Sequence, residues 1–98
     1  MPVDVEFDPN KNEKNIEKHG ISLKRARDFV LIQVLEDTRK NYGEKRWQGW
    51  GTIDGKPHML AFTVVQLSKG GERVRAISLR PATEREIKNY ALQKKKRS

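Results

Sequence analysis

Arg73-Val-Arg-Ala-Ile-Ser-Leu-Arg80 reads as a core strand that carries cations at both ends. By the period of two, Arg73, Arg75, Ile77 and Leu79 share one face, and Val74, Ala76, Ser78 and Arg80 share the other. With Ile77 and Leu79 directed into a helix-covered core, Ser78 and Arg80 face the opposite side at the strand's C-terminal end. That side is the candidate site. Pro81 cannot donate a ladder hydrogen bond, and Thr83 with Glu86 three residues on forms a capping box that opens a helix. Arg80 is therefore expected between a strand end and a helix start. The plainer alternative is an arginine that snorkels from the strand end into solvent.

Reading back from this strand, Ser68-Lys-Gly-Gly71 is a turn. The segment from His58 to Gln66 is nearly continuously apolar, as a central strand is. Asp54-Gly55 is a two-residue hairpin signal joining it to a strand over residues 46–53 that holds both tryptophans. Residues 39–45 form a polar loop after a strand at Val34–Thr38. At the N-terminus, Val3-Asp-Val-Glu-Phe7 alternates as a short edge strand does. Asp8 caps a helix that has Pro9 at its first position and ends at His19 before Gly20. Asn12, Asn15, Ile16 and His19 fall on the inner face of that helix, so the face is either a site or a hydrogen-bonded packing surface. Ser22 caps a second helix running to about Leu31, with Lys24, Arg25 and Arg27 off its apolar stripe. The last helix spans Thr83 to about Lys94. The expected architecture is α+β: two N-terminal helices packed on a curved antiparallel sheet, with a C-terminal helix. Residues 1–93 make one domain and 94–98 a basic tail.

The 98 residues allow one modest core, and the net charge of +8, from 21 Lys and Arg against 13 Asp and Glu, points to a polyanionic or acidic partner. Lys94, Lys95, Lys96 and Arg97 hold four of those charges in the tail, so the body carries +4. Without cysteine there are no disulfides and no thiolate metal sites. No apolar run has the length of a membrane span and the N-terminus lacks a signal-peptide pattern, so the expected location is cytoplasmic. No metal or other cofactor is expected, since His19 and His58 are far apart and no carboxylate cluster has ligand spacing. What remains is a scatter of cations with histidine, Glu44 and Tyr90. That set suits metal-free RNA cleavage: a base for the 2′-hydroxyl proton, cations for charge developing on phosphate, and a proton for the leaving oxygen.

Phe7-Asp8-Pro9, Lys11, Asn15, Lys18-His19-Gly20-Ile21-Ser22, Ala26, Gly43-Glu44-Lys45-Arg46, Gly51, Ile77-Ser78-Leu79-Arg80, Ala82, Glu86 and Tyr90 together resemble the BrnT family of type II toxins. The order and spacing match across nearly the whole chain. The resemblance implies a RelE-like fold, a ribonuclease activity that inhibits translation, and a BrnA-like antitoxin of the ribbon-helix-helix kind. DNA would be met only indirectly, through that antitoxin. Carried over by position, it implies His19, Glu44, Arg46, Arg80 and Tyr90 as catalytic residues, and Lys18, Lys45 and Arg75 as RNA-binding ones. One departure stands out: many members carry a Tyr-Thr-x-Arg segment where this chain has Phe62-Thr63-Val64-Val65, which leaves open a weakened or altered nuclease. Two hypotheses follow, an RNA-cleaving toxin or a non-catalytic basic module that binds nucleic acid or a partner protein.

Overall fold

A computed structural model describes residues 4–83, 85 and 86. Helix α1, Pro9–His19, begins where the Asp8 carboxylate accepts from the Asn10 N–H at 2.8 Å, and ends at Gly20, whose φ of 72° lets its N–H reach the Ile16 carbonyl. The polar inner face of α1 is a packing surface. Asn12 Oδ1 accepts from the Ser22 hydroxyl at 3.1 Å and the Leu23 N–H at 2.7 Å, so α1 holds the start of the next helical segment. Ile16, expected on this inner face, is 44% exposed.

That next segment is shorter and tighter than expected. Ser22 caps a 3-10 helix, Leu23–Asp28, and the chain is already in strand β2, Val30–Glu36, where a helix reaching Leu31 was predicted. The β-branched residues Val30, Ile32 and Val34 favour extended backbone, and β3 offers a ladder partner.

Strand β1 is Val5–Glu6, β3 is Trp47–Ile53, β4 is Lys56–Gln66 and β5 is Glu72–Pro81. The sheet order is β1-β5-β4-β3-β2, with β4 central as its apolar sequence implies. Asp54 and Gly55 join β3 to β4 with φ of 53° and 77°, the left-handed pair that a two-residue hairpin requires. Because β1 pairs parallel to β5, the sheet is mixed and not wholly antiparallel. Alternation in a strand specifies its faces, not the direction of its partner.

The core joins Val5, Leu23, Ala26, Ile53, Leu60 and Phe62 to Ala76 and Leu79. Ala76 and Leu79 are three residues apart, which simple alternation forbids. A bulge accounts for it: Ser78 lies opposite Ala61 but Ala76 lies opposite Phe62, so Ile77 is an extra residue in β5. The face assignment from sequence is corrected accordingly. Arg75, opposite Thr63, and Arg80, opposite Met59, lie on the same face, away from Leu79. The two helical segments pack chiefly on β1 and β5. Residues 85 and 86 are helical, behind the predicted capping box: the Thr83 N–H donates to Glu86 Oε1 at 2.9 Å and the Glu86 N–H to the Thr83 hydroxyl at 3.2 Å. The remainder of the predicted last helix, Tyr90 and the basic tail lie outside the described residues.

Candidate functional site

The end of β5 is fixed from two sides. Asn15, 6% exposed on α1, donates through Nδ2 to the carbonyls of Leu79 and Ile21, both at 2.8 Å, and accepts from the Leu79 N–H at 3.1 Å. On the next residue, the Arg80 guanidinium meets Glu86 with a two-pronged ion pair, Nη1 to Oε1 and Nη2 to Oε2 each at 2.7 Å. It lies 5.9 Å above the ring of Trp50. This fork raises the Arg80 pKa and, with help from the Thr83 N–H, pulls the Glu86 carboxyl down from 4.5 to about 2. Both groups are charged at neutral pH.

His19 closes α1, one turn after Asn15, and is half-buried. Its pKa is lowered, first by burial and then by the positive charges of Lys18 and Arg80. The imidazole therefore stays neutral near pH 7, the form that accepts a proton. Lys18 and Arg80 both lie close enough to His19 for their charges to act on it. His58 is buried between Gly51 and Pro81, one rung beyond Arg80, with its Nδ1 2.8 Å from the Lys56 carbonyl.

Glu44, Lys45, Arg46 and Arg75 form a second group at the other end of the sheet. Glu44 pairs with Arg46 at 3.3 Å, and Arg46 stacks 4.1 Å over Tyr42, whose hydroxyl donates to Asp37 at 3.0 Å. The Thr63 hydroxyl donates to the Lys45 carbonyl at 2.7 Å, pinning this loop to β4. Arg75, opposite Thr63, pairs with Glu6 at 3.1 Å. Four residues of β4, or roughly 13 Å, separate the register positions of Arg80 and Arg75.

Arg39 connects the two groups. It grips Asp37 with two hydrogen bonds of 2.9 Å, yet lies close enough to Arg80 for their charges to oppose. Neither Arg39 nor Trp50 was singled out from sequence. The available signal was Trp50 alternating with Gln48 and Thr52 on the polar face of its strand, a wasteful place for an aromatic ring unless something stacks on it. Glu86 was read as a helix cap and as part of the family resemblance, and its grip on Arg80 was not foreseen. Tyr90 lies outside the described residues.

Arranged this way, the open face offers a neutral base beside fixed cations, with an aromatic floor at one end and a basic loop at the other. Among the described residues no three His, Asp or Glu side chains gather as metal ligands would, and no helix is long and apolar enough to cross a membrane. No curated protein and no solved structure matches the chain. The family model described as the ribonuclease toxin, BrnT, of type II toxin-antitoxin systems matches residues 7–86, which takes in both cation groups and the strand that joins them. The chain therefore belongs to the BrnT family of ribonuclease toxins.

Proposed function

We propose that this chain cleaves RNA without a metal ion, stops translation by doing so, and is silenced in the cytoplasm by a ribbon-helix-helix antitoxin. The arrangement that carries the reading is His19 at the end of α1, with that helix fixed through Asn15 to the residue next to Arg80 and the imidazole pKa lowered by burial, Lys18 and Arg80. In the proposed step, His19 takes the proton of a 2′-hydroxyl and the freed oxygen bonds to the adjacent phosphorus. The bond to the 5′-oxygen then breaks, and that oxygen takes up a proton, for which Tyr90 is the proposed donor. Arg80 stabilises the charge on the non-bridging oxygens. Arg46, Lys45 and Arg75 hold the neighbouring backbone, with Glu44 orienting Arg46. A RelE-like fold is part of the same reading.

The departure in the central strand is milder in this setting. Phe62 is a core residue, and Val65 lies opposite Arg73, at the end where Arg73 and Arg75 already stand. Its missing cation would have joined the RNA-holding group and not the His19–Arg80 pair. The alternative of a non-catalytic binding module draws on one fact: the forks of Arg80 and Arg39 are both filled by carboxylates of the chain itself.

Purified protein incubated with RNA in excess chelator separates the two. Cleavage leaving 2′,3′-cyclic phosphate ends is expected. RNA binding without cleavage would favour the module, and cleavage restored only by magnesium would overturn the metal-free mechanism.

A further inference from the structure

Strand β2 is the outer strand of the sheet, paired with β3 on one side and with no strand on the other among the described residues. Outer strands ordinarily carry lysine, proline or inward charge that discourages further pairing. Here Val30, Leu31, Ile32 and Val34 are 61%, 50%, 48% and 38% exposed, and the only charge on the strand is Glu36 at its end. Exposed apolar side chains gathered on one strand mark an interaction surface.

The surface has depth as well as an edge. Val34 lies opposite Gly49 and Leu31 opposite Gly51, so β3 has no side chain there to cover them. A Cβ on Gly49 would come within 2.9 Å of Leu31 Cδ1. Leu31 and Val34 instead border an open cleft of about 680 Å³ with Trp47, Phe62 and Val64. Of its charged lining residues, Glu44 pairs with Arg46 and Arg75 with Glu6, while Lys45 and Glu72 offset each other in sign. The cleft is thus near neutral overall: its apolar wall meets Glu44, Lys45 and Arg75 of the second cation group at its rim.

We infer that the antitoxin docks here, laying an extended segment along β2 with alternate apolar side chains in the cleft. This rests on the toxin–antitoxin reading above. Family membership supplies the partner, and charge chooses it over a second copy. A chain of net charge +8 repels its own kind and attracts an acidic protein. The bulge at Ile32 interrupts the ladder, so the regular stretch Gln33–Glu36 takes the added strand, in the manner of β-augmentation. The surface is separate from Arg80 and His19, so the segment anchors the antitoxin without filling the proposed catalytic end.

The test compares the purified product of the adjacent antitoxin reading frame binding to wild type, Val30→Lys/Val34→Lys, and Val34→Thr, with thermal melts alongside. Val34→Thr keeps strand propensity and guards against a variant that fails to fold. The double variant is expected to raise the antitoxin Kd at least tenfold and Val34→Thr to raise it less, both retaining RNA cleavage. Hydrogen exchange at residues 33–36 is expected to slow in the wild-type complex. Unchanged Kd and unchanged exchange overturn the docking surface while leaving the toxin reading intact. Wild type failing to bind the antitoxin overturns both. Self-association of the free chain that the double variant abolishes, with antitoxin binding untouched, assigns the edge to a second copy and overturns the proposal.

Discussion

The side-chain amide of Asn15 pairs with both backbone groups of Leu79, donating to its carbonyl at 2.8 Å and accepting from its N–H at 3.1 Å. Leu79 has Leu60 as its ladder partner in β4, while β1 reaches only Val74 and Arg75. Asn15 thus does for β5 at this point what the peptide group of a further strand would do. The consequence is positional: α1 is registered to the residue next to Arg80, and His19 follows one turn later on the same helix.

Asn15→Leu preserves size but strands three backbone groups, the N–H and C=O of Leu79 and the Ile21 carbonyl. A buried polar group without a partner costs about 1–3 kcal/mol, so a loss of roughly 3 kcal/mol or more is expected in urea unfolding. RNA cleavage should fall with it even under conditions where the variant remains folded. A loss below ~1 kcal/mol would show that the clamp is dispensable.

Glu86→Gln isolates the charge on Arg80, because glutamine still completes a capping box with Thr83. The Glu86 carboxyl titrates near 2 when folded against its ordinary 4.5. A depressed acid contributes stability that is full above 4.5 and is lost as pH falls from there through about 2. Urea unfolding across that window should therefore show a shallower acid decline in the variant than in wild type. Asp37 is also held well below the usual carboxylate range, chiefly by Arg39, but it is common to both proteins and cancels in the difference. Parallel pH profiles would mean that the Arg80–Glu86 contact contributes nothing in solution.

Much of this arrangement was legible in sequence where local chemistry is decisive. Asp8, Pro9 and Gly20 bound α1, Asp54-Gly55 sets the hairpin, and Thr83 with Glu86 forms its box. The reading failed where local chemistry is degenerate. Phe29 to Leu35 is apolar with one glutamine, and such a run fits a helix end as well as a strand. The bulge at Ile77 has no residue signature, yet it moves Arg75 to the face of Arg80 and Ala76 into the core. In the site, Arg80 was singled out by its place at the end of an apolar strand before a helix start, whereas a catalytic role for His19 came from family likeness. Their proximity depends on the Asn15 contact, which spans 64 residues of chain and which no spacing rule reveals.

Arg80→Ala, Arg80→Lys and Leu79→Ala separate chemistry from packing on adjacent residues. Leu79 is fully buried, so truncation should cost about 2–4 kcal/mol through the cavity it leaves. Arg80 is partly exposed and ion-paired, and its loss should cost about 1 kcal/mol. Cleavage should behave in the opposite order: a guanidinium aimed at developing phosphate charge is worth ~3 kcal/mol, or roughly a hundredfold in rate, and lysine cannot reproduce the fork. Melts and RNA cleavage on all three decide it. Arg80→Ala cleaving at the wild-type rate, or melting as early as Leu79→Ala, would refute the assignment.

The lowered pKa of His19 ties the two halves of the proposed mechanism together, because Arg80 is one of its causes. Burial is the largest, followed by Lys18 and then Arg80, and all three disfavour the imidazolium. Protonation of His19 therefore begins below the ordinary 6.5, and the acid limb of the cleavage profile should lie below that value, since only the neutral ring accepts the 2′-hydroxyl proton. The same ordering can be read without activity from the imidazole resonances, there being only two histidines in the chain. In Lys18→Ala and in Arg80→Ala the His19 titration midpoint should move up, because each variant removes a neighbouring positive charge, yet stay below 6.5, because burial remains. Asn15→Leu, by loosening α1 from β5, should move it in the same direction. An unmoved midpoint in Arg80→Ala would mean that the ring and the guanidinium do not share a site, and the division of labour between base and phosphate clamp would fall with it.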